Sequence, residues 1–148
     1  MKLYLDLCCL NRPFDDLSQP RVNLEAQAVV LILEACQRGR HELCGSTALE
    51  VENSHNPDGV RRGKVEELLR RAAVRIAHTR ATDERVLQLV LLGFHEFDAY
   101  HVASAEAGGC DRLVTTDDQF LKAAARNSGT IGVQVTDPIR LVAEADFS

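Results

Sequence analysis

The sequence predicts an α/β fold: a parallel β-sheet of about five strands with helices on both faces. Short apolar runs alternate with longer helical stretches along the whole chain. The apolar runs are too short to show a clean two-residue alternation, as in strands that are covered on both faces. The length of 148 residues fits one compact domain, so residues 1–148 are expected to form a single unit.

Five runs have the composition of strands. They are 2–6, 41–45, 74–77, 112–115 and 132–136. In a parallel sheet that is covered on both faces, the ligand site lies beyond the carboxyl ends of the strands. Side chains that follow these runs are therefore the first candidates for function.

Helical stretches lie between the strands. They are predicted at 22–37, 60–72, 82–92, 97–107, 117–126 and 138–145. The first is apolar nearly all round, which predicts a deeply packed helix, and Gly39 ends it. Thr82 or Asp83 is expected to cap the third. Asp137 before Pro138 is a strong start signal for the last helix. The polar stretch 54–63 is predicted to be a loop or a helix break.

Composition excludes several classes of protein. With 45% hydrophobic and 26% charged residues, the chain is neither disordered nor fibrous. The apolar run 28–33 is too short to span a bilayer, and Asp6 interrupts the N-terminal segment before a signal-peptide core could form. We therefore expect a cytoplasmic protein without a membrane anchor. Its five cysteines form no C-x-x-C pair, which predicts reduced thiols and neither disulfides nor a zinc knuckle.

Charge is unevenly distributed. The net charge of −5 argues against a protein that coats nucleic acid, because such binding depends on neutralising phosphates. The segment 61–80 nevertheless contains seven basic residues and two acids. Two interpretations stay open for this segment: a solvated helix with Glu–Arg pairs, or a face that binds phosphate.

Three segments offer acids to one crevice. Asp6 ends the first predicted strand, while Asp117 and Asp118 follow the fourth and open a helix. Asp98 lies in the first turn of its helix, where a carboxylate faces the positive end of the helix dipole. Any one of these acids can be explained as a cap or a solvated charge, but their coincidence at one edge favours a shared site.

A fourth segment adds Glu50 and Glu52 at the start of another predicted helix. On a helix these side chains point about 200° apart, so only one can face the crevice. Clustered carboxylates raise one another's pKa values, and a hard cation best compensates them. Mg²⁺ and Mn²⁺ prefer oxygen ligands and can activate water for attack on phosphorus. The residues therefore predict metal-dependent phosphodiester hydrolysis.

Four blocks of the sequence resemble the motifs of the PIN domain family, which includes the toxin ribonucleases of VapBC toxin–antitoxin modules. They are YLDLCCLNRPFDD at 4–16, STALEVE at 46–52, EFDAYHVASAEAGGCD at 96–111 and LVTTDDQF at 113–120. Together they cover nearly the whole chain. The resemblance implies a PIN-like parallel-sheet fold, one or two Mg²⁺ or Mn²⁺ ions in an acidic pocket, and cleavage of single-stranded or structured RNA.

The resemblance also assigns the acids. Asp6 resembles the family's first acid and Asp98 its third, and Asp117 fits the fourth better than Asp118 because of the T-x-D-x-x-F spacing. These three are expected to hold the metal. The second acid completes the pocket and helps to orient the attacking water.

The choice of second acid stays open between two residues. The S-x-x-L-x-x-E spacing favours Glu52 as the fourth catalytic residue, although Glu50 lies close enough to compete. Supporting roles are expected for polar neighbours of the acids: Asn11, Ser46, Glu50, Thr115 and Asp118.

One departure from the family pattern concerns the residues after the first acid. The family often has Ser, Thr or Asn there, whereas this chain has Leu7, Cys8 and Cys9. Asn11 is the candidate to replace the missing polar group, and the alternative is a weaker metal site. His101 is interpreted as a half-buried residue on an apolar helix face, with substrate contact as the alternative.

We therefore expect a Mg²⁺- or Mn²⁺-dependent endoribonuclease that acts as the toxin of a toxin–antitoxin pair. RNA is the expected substrate, with Arg12, Arg61 and Arg62 as candidate phosphate contacts. The resemblance further implies an antitoxin partner protein and a homodimer. Two alternatives stay open: a catalytically weak PIN-like domain that binds RNA or serves as a scaffold, and a phosphatase with an aspartyl nucleophile at Asp6.

Overall fold

A parallel β-sheet forms the centre of the computed structural model, which describes residues Met1–Ser148. Its strands are β1 (Lys2–Leu5), β2 (Glu42–Ser46), β3 (Val74–Ile76), β4 (Arg112–Val114) and β5 (Gln134–Thr136). The order across the sheet is β3-β2-β1-β4-β5, and every neighbouring pair is parallel. The predicted fold class is confirmed. The five strands lie close to their predicted positions, and β5 shows the largest shift at its start.

Both faces of the sheet are covered by helices. In β1, Leu3, Tyr4 and Leu5 are all fully buried. Because successive side chains of a strand point to opposite faces, this burial requires cover on each side. The strands can therefore be apolar throughout, which explains the missing alternation in the sequence.

Eight α-helices surround the sheet. They are α1 (Leu7–Asn11), α2 (Pro20–Gln37), α3 (Thr47–Ser54), α4 (Gly59–Arg70), α5 (Arg80–Leu91), α6 (Glu96–Ala107), α7 (Asp118–Arg126) and α8 (Pro138–Glu144), with a 3₁₀ turn at Arg12–Phe14. Helix α1 was not predicted. The segment predicted as a loop or a helix break at 54–63 contains the break at 55–58 between α3 and α4, while 59–63 already belong to α4, which Asp58 caps with its carboxylate.

Helix α2 is not deeply packed, so that prediction was wrong. Val29 and Ile32 are buried, but Leu24, Val30 and Leu31 are 56%, 40% and 41% exposed. The helix ends as predicted at Gly39, whose φ of 77° permits the hydrogen bonds from Gly39 N to Cys36 O and from Arg40 N to Ala35 O. Neither α2 nor any other helix combines the length and apolar character needed to cross a membrane.

The start of α5 also differs from the prediction. Thr79, and neither Thr82 nor Asp83, caps this helix. The Thr79 hydroxyl accepts a hydrogen bond from the Thr82 N–H, and the Thr82 hydroxyl accepts one from the Thr79 N–H. At α8 the prediction is confirmed, because Asp137 caps a helix that begins with Pro138.

Candidate active site

The adjacent strands β1 and β4 bring two of the predicted acids, Asp6 and Asp117, to the carboxyl end of the sheet. The N–H of Asp6 donates to Val114 O at 3.0 Å, which extends the β1–β4 pairing one residue beyond the strand. Asp6 therefore lies beside Thr115, whose hydroxyl accepts a hydrogen bond from the N–H of Asp117 at 3.1 Å. Asp6 is only 4% exposed, while Asp117 is exposed and caps α7. The short loop after β4 thus places both carboxylates at the carboxyl end of the sheet.

A thiol contacts the first acid. Oδ1 of Asp6 accepts a hydrogen bond from the Cys9 N–H at 3.1 Å and lies 2.8 Å from Sγ of Cys8. The Cys8 thiol therefore donates a hydrogen bond to the Asp6 carboxylate. Burial raises the pKa of Asp6 well above its usual range, and the charge of Cys8 raises it further. Cys8 Sγ also lies 3.1 Å from Oγ1 of Thr116, so polar groups hold the sulfur in place.

Asn11 differs from Cys8 in its contacts. Its side-chain Oδ1 is buried without a hydrogen-bond partner, whereas the Cys8 thiol occupies the polar position next to Asp6. A supporting role for Asn11 stays a prediction. Cys9 is structural, because its fully buried Sγ donates to Val114 O at 3.3 Å.

Asp98 is half-buried and is influenced by the charges of the other three predicted acids. Its carboxylate forms no hydrogen bond and no ion pair within the chain. Burial raises its pKa to about 6, and the charges of Asp6, Asp117 and Glu52 raise it as well, while His101 acts in the opposite direction. Charges influence one another in this way only over short distances. The charges of the other three predicted acids therefore reach Asp98, whereas the side chains whose ligand atoms all lie within 4.8 Å of one another are Asp6, Cys8 and Cys9. That the four acids share one metal site stays a prediction.

Two glutamates of α3 point in different directions. Glu50 is exposed and forms a two-point ion pair with Arg75, at 2.7 Å from Nη2 and 2.9 Å from Nε. Oε1 of Glu52 instead lies 3.0 Å from Nε2 of His101, and the charge of Glu52 influences Asp98. The helical spacing separates the two side chains as expected. Glu52 is the one that faces the crevice.

A buried chain of polar groups supports Glu52. His101 is 1% exposed, and its Nδ1 lies 2.6 Å from Oη of Tyr4. Tyr4 Oη lies 2.7 Å from Oγ of Ser46, which caps α3 by accepting the Leu49 N–H. The interpretation of His101 as a half-buried residue on an apolar face was wrong, because both ring nitrogens have polar partners. Burial also raises the pKa of Tyr4.

Sequence reasoning missed the role of Tyr4. The signal in the sequence was a Tyr between two leucines of the first strand. A buried Tyr hydroxyl normally has a hydrogen-bond partner, so this position indicated a polar contact inside the core. The identity of that partner could not be seen, because His101 lies on a helix far along the chain.

The candidate phosphate contacts have partners within the chain. Arg12 and Arg61 both bind Asp15, at 2.9 Å and 2.6 Å, and Nη1 of Arg62 donates to Asn56 O at 2.7 Å. In the basic segment, exposed ion pairs are common, as in the solvated-helix interpretation. Contact of these arginines with RNA stays a prediction.

Asp118 points away from the acidic crevice. Its two carboxylate oxygens accept hydrogen bonds from Arg21 at 2.7 Å and 2.9 Å, and this pairing lowers the pKa of Asp118. Asp117 is the acid of this pair whose charge influences Asp98. The assignment of Asp117 as the fourth acid stays a prediction.

The acidic crevice suits a hard divalent cation. Asp6, Glu52, Asp98 and Asp117 form no ion pair with a lysine or arginine, and Glu52 contacts only His101. Uncompensated carboxylates in a partly buried site favour a cation with oxygen ligands, such as Mg²⁺ or Mn²⁺. The sulfur of Cys8 adds a softer donor beside Asp6, which Mn²⁺ and Zn²⁺ tolerate better than Mg²⁺ does.

Comparison with known proteins supports the fold. No protein-family model and no curated protein matches the sequence. Among solved structures, the chain resembles one in the crystal structure of VapBC2 from Rickettsia felis bound to a DNA fragment from their promoter. The TM-score is 0.58 at 11% identity, over 93% of this chain and 98% of that chain. The protein thus has a PIN-like α/β fold, as the four sequence blocks predicted.

Proposed function

We propose that this protein is a metal-dependent endoribonuclease that hydrolyses phosphodiester bonds of RNA at the crevice of Asp6, Glu52, Asp98 and Asp117. The observation that carries the proposal is the environment of Asp98: a carboxyl without a partner in the chain, whose pKa is raised by burial and by three other acids. A fold keeps such a cluster most readily where a bound cation compensates it.

In the proposed mechanism Asp6, Asp98 and Asp117 would hold Mg²⁺ or Mn²⁺. When bound, the cation would supply an activated water and would offset charge that develops on the phosphoryl group. Glu52 orients the attacking water and accepts its proton. Oε1 of Glu52 is held by His101, so Oε2 remains available for this task. The hydrogen bond from Cys9 N–H keeps the Asp6 carboxylate in one orientation.

Cleavage of RNA by purified protein tests this function. We expect EDTA to abolish cleavage and added Mg²⁺ or Mn²⁺ to restore it. Asp98→Asn should lower the rate by at least about 100-fold, since it removes a proposed metal ligand. Glu50→Gln is the matched control, because Glu50 lies outside the crevice. Full cleavage in EDTA would refute the proposal.

We further propose that the protein is the toxin of a toxin–antitoxin pair with an antitoxin partner, and that it forms a homodimer. The structure that it resembles is a VapBC2 complex, and the likeness extends over nearly the whole chain. Apolar side chains exposed on α2 and α5 offer surface for partners: Leu24, Val30, Leu31, Leu87 and Leu91. Production of the wild-type protein should arrest growth of a bacterial host, while production of Asp98→Asn should not.

A second candidate function follows from the Cys8 contact. The Cys8 thiol fills the polar position next to Asp6 with a soft donor that suits a hard cation poorly, so a PIN-like domain of weak catalysis that binds RNA or acts as a scaffold is the alternative. It predicts RNA binding by pure protein, with no cleavage at saturating Mn²⁺.

A further inference from the structure

A cavity of about 180 Å³ adjoins the acidic crevice. It lies between the start of α6 and one face of α7, and Asp98 belongs to its wall. Its polar and charged lining consists of His95, Asp98, Gln119, Lys122 and Arg126. The last three of these are spaced so that they lie on one face of α7.

The cations of this cavity have no partners in the chain. Of the 17 lysines and arginines, all but Arg38, Lys122 and Arg126 form an ion pair, a side-chain hydrogen bond or an aromatic contact. Two of the three exceptions line the same cavity. In a chain with a net charge of −5, unpaired cations next to an acidic cluster point to an anionic ligand.

The base of the cavity is apolar and its rim is polar. Phe94 and Phe120 are 4% and 1% exposed and pack edge to face, with their ring centroids 6.0 Å apart. Above them Nε2 of His95 lies 3.3 Å from Oε1 of Gln119, so two groups able to form hydrogen bonds meet across the cavity. A cavity of this size accommodates a phosphate group and part of a sugar, but no large ligand.

The turn before α6 lies next to Arg126. Gly93 has a φ of 106°, a conformation that side chains disfavour, and a Cβ at this position would lie 3.9 Å from Nη2 of Arg126. The guanidinium group therefore lies over this turn, while Asp98 lies a few residues further along the same wall.

We propose that this cavity binds a backbone phosphate of the RNA strand, next to the bond that is cut at the acidic crevice. The inference rests on the proposed function and adds a binding site to it. Lys122 and Arg126 supply positive charge, and His95 and Gln119 supply hydrogen bonds. An RNA strand that approaches four carboxylates needs cations close by, because repulsion between its phosphates and the acids would otherwise weaken binding.

Binding of a short fluorescent single-stranded RNA, measured by anisotropy in EDTA, tests the site without consuming the probe. The double variant Lys122→Gln/Arg126→Gln should raise the Kd by about 10-fold or more. It should also reduce the slope of log K against log salt by about 0.7 for each phosphate that is no longer neutralised. Arg38→Gln is the matched control. It removes an unpaired cation that lies between the end of α2 and the amino end of β2, so it should leave the Kd unchanged.

A charge-preserving double variant, Lys122→Arg/Arg126→Lys, should bind RNA like the wild type. Both residues are exposed, so all variants should share the same melting temperature. In a cleavage assay with Mn²⁺, the Gln variant should raise KM and leave kcat nearly unchanged.

The results separate the two proposals. If RNA is bound through Lys122 and Arg126 but is never cut, the nuclease proposal fails and the phosphate site stands. If RNA is cut and the Gln variant has the wild-type Kd and salt slope, the phosphate site is overturned.

Discussion

Nε2 of His101 lies 3.0 Å from Oε1 of Glu52, and the opposite ring nitrogen lies 2.6 Å from the Tyr4 hydroxyl. At 1% exposure His101 cannot touch a substrate. It can act only through Glu52, by holding that carboxylate in one orientation. His101 is therefore a positioning residue in the proposed mechanism.

Replacement of His101 by Leu should affect both stability and rate. It leaves Tyr4 and Glu52 without their partner, which costs about 1–3 kcal/mol of unfolding free energy. Without the oriented carboxylate, kcat should fall by about 10- to 100-fold with little change in KM or Mn²⁺ affinity. Tyr4→Phe should show a smaller effect in the same direction, and a Leu variant with the wild-type kcat would contradict the positioning role. Chemical denaturation and steady-state kinetics provide both measurements.

Glu50 and Glu52 offer a matched pair of substitutions on one helix. Glu52→Gln should lower kcat by about 100-fold or more, because the proposed acceptor of the water proton is removed. Glu50→Gln should leave kcat within about twofold and cost less than about 1 kcal/mol, since it breaks only an exposed ion pair. If the effects were reversed, Glu50 would be the second acid.

The contribution of Asp98 to the stability of the metal-free protein should fall as pH rises from about 4 to 6. The folded-state pKa of Asp98 is about 6, above the ordinary value for Asp, so in this range the folded state holds a proton that the unfolded chain has released. Asp98→Asn should therefore stabilise the metal-free protein at pH 7 by about 1–2 kcal/mol and have little effect at pH 4.

Thermal denaturation in EDTA at both pH values measures this difference. An equal gain at pH 4 and pH 7 would show that the pKa of Asp98 is not raised in the folded state. Saturating Mg²⁺ should raise the melting temperature of the wild type more than that of the variant, because the ligand stabilises the state that binds it.

The Cys8 thiol should set the metal preference of the crevice. Cys8→Ser keeps a hydrogen-bonding group next to Asp6 but replaces a soft donor by a hard one. We expect Mg²⁺ affinity to rise severalfold and Zn²⁺ affinity to fall, as isothermal titration can measure. With Co²⁺ the wild type should show a sulfur-to-metal absorption band that the variant lacks. The same spectrum for both proteins would place Cys8 outside the metal site.

The fold was predictable because local signals and sheet geometry agree. Asp137 followed by Pro138 specifies the start of α8 by local chemistry alone, and Gly39 specifies the end of α2. Helix α1 was missed because its five residues are too few to show a helical period. At α5, threonines occupy both ends of the capping box, so the sequence did not distinguish the cap from its partner.

The site was predictable only in part, because its contacts join distant segments. Strand-end positions pointed to Asp6 and Asp117, and helical spacing showed that Glu50 and Glu52 must diverge. The hydrogen bond between Tyr4 and His101 depends on how α6 packs on the sheet. The cavity beside Asp98 depends on the spacing between α6 and α7, which no local pattern encodes.

Helix α7 begins at the cap residue Asp117 and carries Lys122 and Arg126 further along its length. An α-helix is a stiff rod with a rise of about 1.5 Å per residue. Under the proposed function, one rigid helix therefore carries both a metal ligand, Asp117, and the phosphate-binding residues Lys122 and Arg126. The distance between the bound phosphate and the cleaved phosphodiester bond would therefore be the same in every RNA, whatever its base sequence.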